Sequence, residues 1–232
     1  QQRHGPPRMT SPSEKPKALR LAVDVGGTFT DVVVDAGDRH AATKVLTTPS
    51  APERAILEGA ALVLKELGAG FADIDVLIHG TTLATNAIIE RKGARTALLT
   101  TEGFRDVVEI ADESRFDQYD LMIDKPRPLV PRRLRFGVPE RIDVTGKVHL
   151  TLDEGRIAAI ARELEAEQIE AVAVAYIHSY VSGAHEERTR ELLGRLLPGV
   201  AVTLSSEVCP EMREWERSST ALANAYVQPL MA

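Results

Sequence analysis

Cysteine is nearly missing from this sequence: Cys209 stands alone. A single thiol closes no intramolecular disulfide and builds no cysteine-based zinc cluster. The usual histidine metal patterns are missing too. None of the six histidines falls in an H-x-x-x-H or H-E-x-x-H spacing, so no zinc site is expected. His4 lies in the leader, and His40, His149 and His185 read as surface or turn residues. Aromatics supply only 4 % of the chain against 44 % apolar residues, so the core has to be built from Val, Leu, Ile and Ala. A basic excess is absent: the formal net charge is −6, which speaks against nucleic acid as a partner. A local anion site stays open, because main-chain N–H groups bind phosphate even on an acidic protein. No apolar run reaches membrane-spanning length and no secretory signal is recognisable. A cytoplasmic protein without a membrane partner is expected. Residues 1–18, with Pro6, Pro7, Pro12 and Pro16, read as a disordered leader.

What is present is one dense motif, Asp24-Val25-Gly26-Gly27-Thr28-Phe29-Thr30-Asp31. It follows the apolar run Leu21-Ala22-Val23 and precedes Val32-Val33-Val34, so a buried strand turns tightly and returns as another. Gly26 and Gly27 admit φ values closed to other residues and clear the approach path. Their N–H groups can cradle a phosphate oxygen. The hydroxyls of Thr28 and Thr30 add donors. Asp24, with Asp31 as the second carboxylate, offers the oxygen ligands that Mg2+ prefers. A plain surface hairpin is the competing reading.

The remaining pattern is α/β. A third strand is expected over residues 41–47. A helix follows, opened by a Ser50–Glu53 capping box and stopped at Gly68. Residues 76–78 form a short strand ending in His79-Gly80, then a helix runs to Gly93, then a strand covers 96–100. Residues 112–150 break the alternation with Pro126, Pro128, Pro131 and Pro139 and read as an irregular excursion ending in a hairpin around Thr145-Gly146. A capping box at Thr151–Glu154 opens a helix whose Ile157, Ile160, Ala161 and Leu164 make one buried stripe. Strands at 171–177 and 200–204 flank a helix over 184–197, and a last helix covers 213–227. The expected organisation is a leader (1–18), a nucleotide- or phosphate-binding segment (19–111), the excursion (112–150) and a second α/β segment (151–232).

Several further groups invite a functional reading. His79, Thr81, Thr82 and Asn86 follow the C-terminal end of a strand, where parallel sheets gather ligands; a helix cap beside a structural histidine fits them equally well. Arg105 and Asp106 fit a surface ion pair or substrate positioning. Asp112, Glu113 and Arg115 are a weaker version of the same pattern. Glu207, Glu211, Glu214 and Glu216 make a carboxylate-rich stretch, with Arg213 and Arg217 four apart and Glu214–Arg217 at ion-pair spacing. Cys209 has no evident base partner and reads as a small buried hydrophobe.

The octet resembles the first phosphate motif of the actin, sugar kinase and Hsp70 superfamily. More narrowly, the chain resembles the N-terminal region of hydantoinase A and 5-oxoprolinase, a family with acetone carboxylase-type members. The resemblance rests on 24–31, His79-Gly80-Thr81-Thr82-Leu83-Ala84-Thr85-Asn86, Glu90-Arg91-Lys92-Gly93-Ala94 and Thr101-Glu102-Gly103-Phe104-Arg105-Asp106. It continues through Leu129-Val130-Pro131-Arg132, His178-Ser179-Tyr180, Ser205-Ser206-Glu207-Val208, Glu214-Trp215-Glu216-Arg217 and Asn224-Ala225-Tyr226. Trp215 stands where the family tends to have tyrosine.

The resemblance implies an actin-like (ribonuclease H-like) half with a mixed sheet, plus a second α/β segment. It also implies that the chain is an N-terminal fragment whose missing C-terminal half supplies a second phosphate motif and the adenosine pocket. ATP and Mg2+ would activate a cyclic amide such as 5-oxoproline or a hydantoin through a phosphorylated intermediate. Asp24 and His79 would be catalytic, and Gly26, Gly27, Thr28 and Thr30 would hold phosphate. Thr81, Thr82, Asn86, Arg105, Asp106, Glu214 and Arg217 would face the substrate. A hydantoinase B-like subunit would be the partner. The alternatives are a subunit of an ATP-dependent ketone carboxylase, a catalytically incomplete interaction module, and a sugar kinase-like phosphate binder.

Overall fold

A computed structural model describes residues 18–48, 51–112, 117 and 119–231. The chain divides into two compact units between Asn86 and Ala87. The expected leader lies outside the described residues, apart from Ala18.

In the first unit, alternating apolar residues build β1 (Arg20–Val25) and β2 (Phe29–Asp35), which pair antiparallel, and β3 (His40–Leu46) extends the meander. β4 (Val76–Thr81) adds to β1 in parallel, giving the mixed order β3-β2-β1-β4. One face of the sheet buries Leu21, Val23, Val25, Val32 and Val34 with Ala60, Val63 and Leu64 of α1 (Pro52–Leu67). Gly59 lets that helix approach: a Cβ there would lie 2.6 Å from Val32 Cγ2. Gly68 ends α1 in the left-handed region at φ 70°, as expected. The helix starts from Ala51 without a side-chain cap, and Ser50 of the expected capping box lies outside the described residues. α2 (Leu83–Ile89) follows β4.

The second unit holds a parallel sheet of order β10-β9-β5-β6. Its strands are β5 (Thr96–Thr101), β6 (Arg135–Val138), β9 (Ala171–Ala175) and β10 (Ala201–Leu204). β5 and β9 are buried along their whole length, as befits parallel strands covered on both faces. A hairpin of β7 (Arg141–Ile142) and β8 (Val148–Leu150) stands apart from that sheet. The helices are α3 (Val107–Ile110), α4 (Glu154–Ala166), α5 (Ala184–Leu196), α6 (Ser205–Val208) and α7 (Glu214–Met231). Ile157, Ile160, Ala161 and Leu164 form the buried stripe of α4, and Ala221, Leu222 and Ala225 of α7 join the same core.

The α/β class and the mixed sheet agree with the sequence reading, but several boundaries do not. The expected first segment includes the strand at 96–101, yet that strand pairs with β9 and β6, so the division falls at 86/87 and not at 111/112. The excursion contributes β6 to that sheet, and its hairpin forms around Gly146 at φ 85°. α2 stops at Ile89 rather than Gly93, and Arg91 turns left-handed at φ 56°. The cap of α4 is Asp153, which accepts from Arg156 N–H at 2.9 Å, two residues beyond Thr151. α7 continues through Pro229, close enough to its end that the lost N–H costs little.

Gly93 is fixed by packing: a Cβ would lie 2.0 Å from the Tyr226 ring, and Ala94 N–H donates to Tyr226 O at 2.9 Å. Gly93→Ala should overpack this contact and lower the stability of the second unit by about 1–3 kcal/mol. Denaturant melts read at Trp215 check this; an unchanged midpoint would contradict it.

Candidate phosphate and metal site

The site grows from strand register in the first unit. Val25 pairs with Thr30 and Asp24 with Asp31, leaving Gly26, Gly27 and Thr28 as the turn. Gly26 N–H donates to Phe29 O at 2.9 Å and closes it. Among the described residues, the N–H groups of Gly27 and Thr28 have no acceptor, so two adjacent main-chain donors stand free at the tip. Gly26 is required by space, since a Cβ there would meet Phe29 O at 2.9 Å; at Gly27 a Cβ would crowd Asn86 Nδ2 at 3.3 Å. Neither takes a positive φ, so the conformational argument made from the sequence gives way to a steric one.

β4 brings the second block alongside. Asp24 pairs with Gly80 and Val25 with Thr81. With Asp31 opposite Asp24 and Lys44 opposite Asp31, one row reads Gly80–Asp24–Asp31–Lys44 across four strands. Lys44 Nζ binds Asp31 at 3.0 Å and lies 5.5 Å from the Phe29 ring centroid. Asp24 is exposed, and its other neighbour, Gly80, has no side chain to cover it. Asp24 is thus the carboxylate open to a cation, while Asp31 is held by Lys44. No cluster of three acidic, histidine or cysteine side chains able to hold a metal exists among the described residues. A cation at Asp24 would take its remaining ligands from water and phosphate oxygens, as Mg2+ commonly does.

The other expected residues of this unit separate by role. Thr82 and Asn86 face the turn: Asn86 Nδ2 donates to Thr82 Oγ1 at 3.4 Å, and the space beside Gly26 ends 4.0 Å away at that same oxygen. Thr81 is occupied structurally. Its hydroxyl donates to Val25 O at 3.2 Å and accepts Leu83 N–H at 3.1 Å, capping α2. Thr30 is corrected outright: it is fully buried and bonds Thr47 Oγ1 at 2.9 Å, because residues 30, 32 and 34 point to the α1 side. His79 pairs with Val23 and so lies on the sheet face opposite Asp24; the two do not form one catalytic pair.

Arg105, Asp106, Glu214 and Arg217 belong to the second unit. Asp106 takes both oxygens to Arg132, at 2.8 and 2.9 Å, and that guanidinium holds its carboxyl below the usual range. The surface ion pair is thus made with Arg132 and not with Arg105, which is exposed beside it. Arg217 is buried and its two terminal nitrogens donate to main-chain carbonyls of Tyr176, Glu211 and Met212, while Nε has no partner among the described residues; burial lowers its pKa. It braces α7 against the end of β9. Glu214, half-buried, opens α7. The carboxylate stretch is dispersed, with Glu207 on Arg190 at 2.7 Å and Glu216 on Arg213 at 3.2 Å. Sequence reasoning missed Lys44 and Thr47; the period-2 alternation of β2 and β3 is the signal that carries both.

A family model, the hydantoinase/oxoprolinase N-terminal region, matches residues 20–197. The chain is 37 % identical over 221 residues to the caprolactamase subunit alpha of Pseudomonas jessenii, covering 91 % of this chain and 32 % of that one. It is 33 % identical over 241 residues to the acetophenone carboxylase gamma subunit of Aromatoleum aromaticum, covering 96 % and 33 %. The crystal structure of ATP-dependent caprolactamase from Pseudomonas jessenii superimposes with a TM-score of 0.80 at 37 % identity over 91 % of this chain and 32 % of that chain. Nucleotide-free acetone carboxylase gives 0.84 at 24 % identity over 92 % and 32 %, a likeness of fold alone. The chain therefore spans about a third of the length of these relatives.

Thr30→Val removes one partner of a buried hydroxyl pair and should cost about 1–2 kcal/mol of stability. Anion binding at the turn, titrated with inorganic pyrophosphate and Mg2+, should stay unchanged. Lost binding in a folded variant would return Thr30 to the site.

Proposed function

The chain belongs to the hydantoinase/oxoprolinase family through its N-terminal region, and on that premise we propose that it is the phosphate-binding part of a longer ATP-dependent enzyme that opens cyclic amides. The observation that carries this is the turn itself: two free N–H groups at Gly27 and Thr28, beside an open carboxylate at Asp24. Free donors on a tight turn suit phosphate oxygens, and the open carboxylate suits a hard cation.

In this reading, Gly27 N–H, Thr28 N–H and the Thr28 hydroxyl hold phosphate, and Asp24 holds Mg2+ directly or through water. Thr82 and Asn86 line the approach. ATP, when bound, would supply the activation that an unreactive amide carbonyl lacks. The chain's own contribution is positioning and charge complementarity, the main levers in phosphoryl transfer. The remainder of the longer polypeptide supplies the adenosine pocket and a second phosphate segment, and a separate hydantoinase B-like subunit completes ring opening. The enzyme works in the cytoplasm; no helix among the described residues is long and apolar enough to cross a membrane. Support for the amide chemistry comes from the match to a caprolactamase subunit. The match to an acetophenone carboxylase subunit favours a second reading, ATP-dependent ketone carboxylation by the same phosphate site. Nucleotide turnover by the longer protein, stimulated by lactams or by ketones with bicarbonate, separates the two.

The test of the site is calorimetric titration of the chain with ATP, with and without Mg2+. Asp24→Asn should weaken the Mg2+-dependent binding at least about tenfold, or 1.4 kcal/mol. Asp31→Asn should do less, because Asp31 is already paired with Lys44. Equal Mg2+-dependent binding by the Asp24 variant would overturn the metal assignment.

A further inference from the structure

The second unit has a ligand edge of its own. From β5 the chain moves to β6 on one side, and from β9 it moves to β10 on the other. Neighbouring parallel strands whose connections leave in opposite directions mark a switch point, and ligands of such sheets bind outside the carboxyl ends of those strands. At the ends of β5 and β9 lies a buried polar chain. Thr101, the last residue of β5, accepts Ile177 N–H at 2.9 Å and passes its own hydroxyl proton to Glu140 Oε1. Glu140 is fully buried at its side chain, and its other oxygen, Oε2, meets His185 Nδ1 at 2.7 Å.

The chain of donors fixes the chemistry of the pair. The Thr101 hydroxyl donates to one carboxyl oxygen of Glu140 and so fixes the orientation in which the other faces His185. With Nδ1 of His185 turned to that carboxyl, Nε2 is the ring nitrogen left for another partner. His185 is 13 % exposed at its side chain, so the imidazole is reachable although the carboxylate behind it is not. The other well-bonded histidine is turned round: His149 offers Nε2, not Nδ1, to Asp143 at 2.6 Å. A second polar atom at the same edge lacks a partner. His178, on the loop after β9, sits at φ 58° with a buried Nδ1 that has no hydrogen bond among the described residues. Backbone strain and an unsatisfied buried nitrogen together are a pattern found where structure is kept for function.

We propose that Glu140 and His185 form a proton-accepting dyad at the switch point of the second sheet, with His185 Nε2 receiving the proton of a small hydroxylic ligand, water included. In the step, the ligand O–H bond breaks and its proton goes to Nε2. The electron pair stays on oxygen, Glu140 holds the imidazole through Nδ1 while it carries the proton, and the reverse step returns that proton to the same oxygen. His185 is the acceptor; Glu140 and Thr101 are positioning residues. The dyad lies entirely within the second unit and does not depend on the phosphate turn, so a failure of nucleotide binding leaves it standing.

Acylation of the 232-residue chain by diethyl pyrocarbonate near neutral pH, read at each histidine by mass spectrometry, tests the dyad. His185 should react about tenfold faster than exposed His40, because the carboxylate at Nδ1 strengthens Nε2 as the attacking nitrogen. Glu140→Gln should bring the two rates together. Should that variant not fold, Glu140→Asp, which withdraws the carboxylate by one methylene, should lower the ratio instead. A His185 no faster than His40, or a ratio indifferent to position 140 in a folded variant, would reduce the pair to a structural clamp and overturn the proposal.

Discussion

Parallel pairing of β4 with β1 is the constraint on which the candidate site depends. It sets Gly80 beside Asp24 and Thr81 beside Val25, and so delivers Thr82 and Asn86 to the rim of the glycine turn. A one-residue slip would exchange the two faces of β4: Gly80 would leave Asp24, and a side chain would cover that open carboxylate. The same register explains the charges. Asp31 and Asp24 are direct neighbours, and their repulsion is relieved by Lys44 one strand further on. A cation binding at Asp24 thus meets a row already partly neutralised, which argues for one metal ion rather than two.

The two units solve opposite electrostatic problems. The first keeps its carboxylates exposed and its turn donors free, which suits a site that must exchange a charged ligand. The second buries two carboxylates, Glu140 and Glu186, and satisfies them. Glu186 accepts from Tyr176 N–H at 2.9 Å, from the Ser205 hydroxyl at 2.7 Å and from Ser206 N–H at 2.9 Å, tying α5 to the ends of β9 and β10. Burial of such a group is tolerable only with this many donors. Tyr176, held against Thr189 at 2.9 Å, is raised in pKa by burial and stays neutral. The sheet edge of the second unit is therefore rigid, which fits a scaffold that fixes one reactive imidazole.

Local chemistry was legible in the sequence, and long-range pairing was not. Gly68 as the end of α1 and the stripe from Ile157 to Leu164 depend on nearest neighbours and were read correctly. The membership of β5 in the second sheet depends on residues far along the chain, with nothing in the run at 96–101 to name its partner. β6 was hidden among prolines for the same reason. Thr30 was misassigned although the signal was available: it shares the parity of Val32 and Val34, so the alternation that buries them buries it. His79 and Asp24 could not be separated without the register of β4. Glu140 and Glu186 carried no sequence signal, since an isolated glutamate is solvent-exposed by default.

Backbone amide shifts of the 15N-labelled chain, followed during titration with MgATP, test the central claim most directly. The account predicts that Gly27 and Thr28 move first and furthest, that Gly26 moves little because its N–H already closes the turn on Phe29, and that the amides of the second unit stay where they are. A nucleotide that binds while leaving Gly27 and Thr28 unmoved would contradict it, and the glycine turn would then be a hairpin and nothing more.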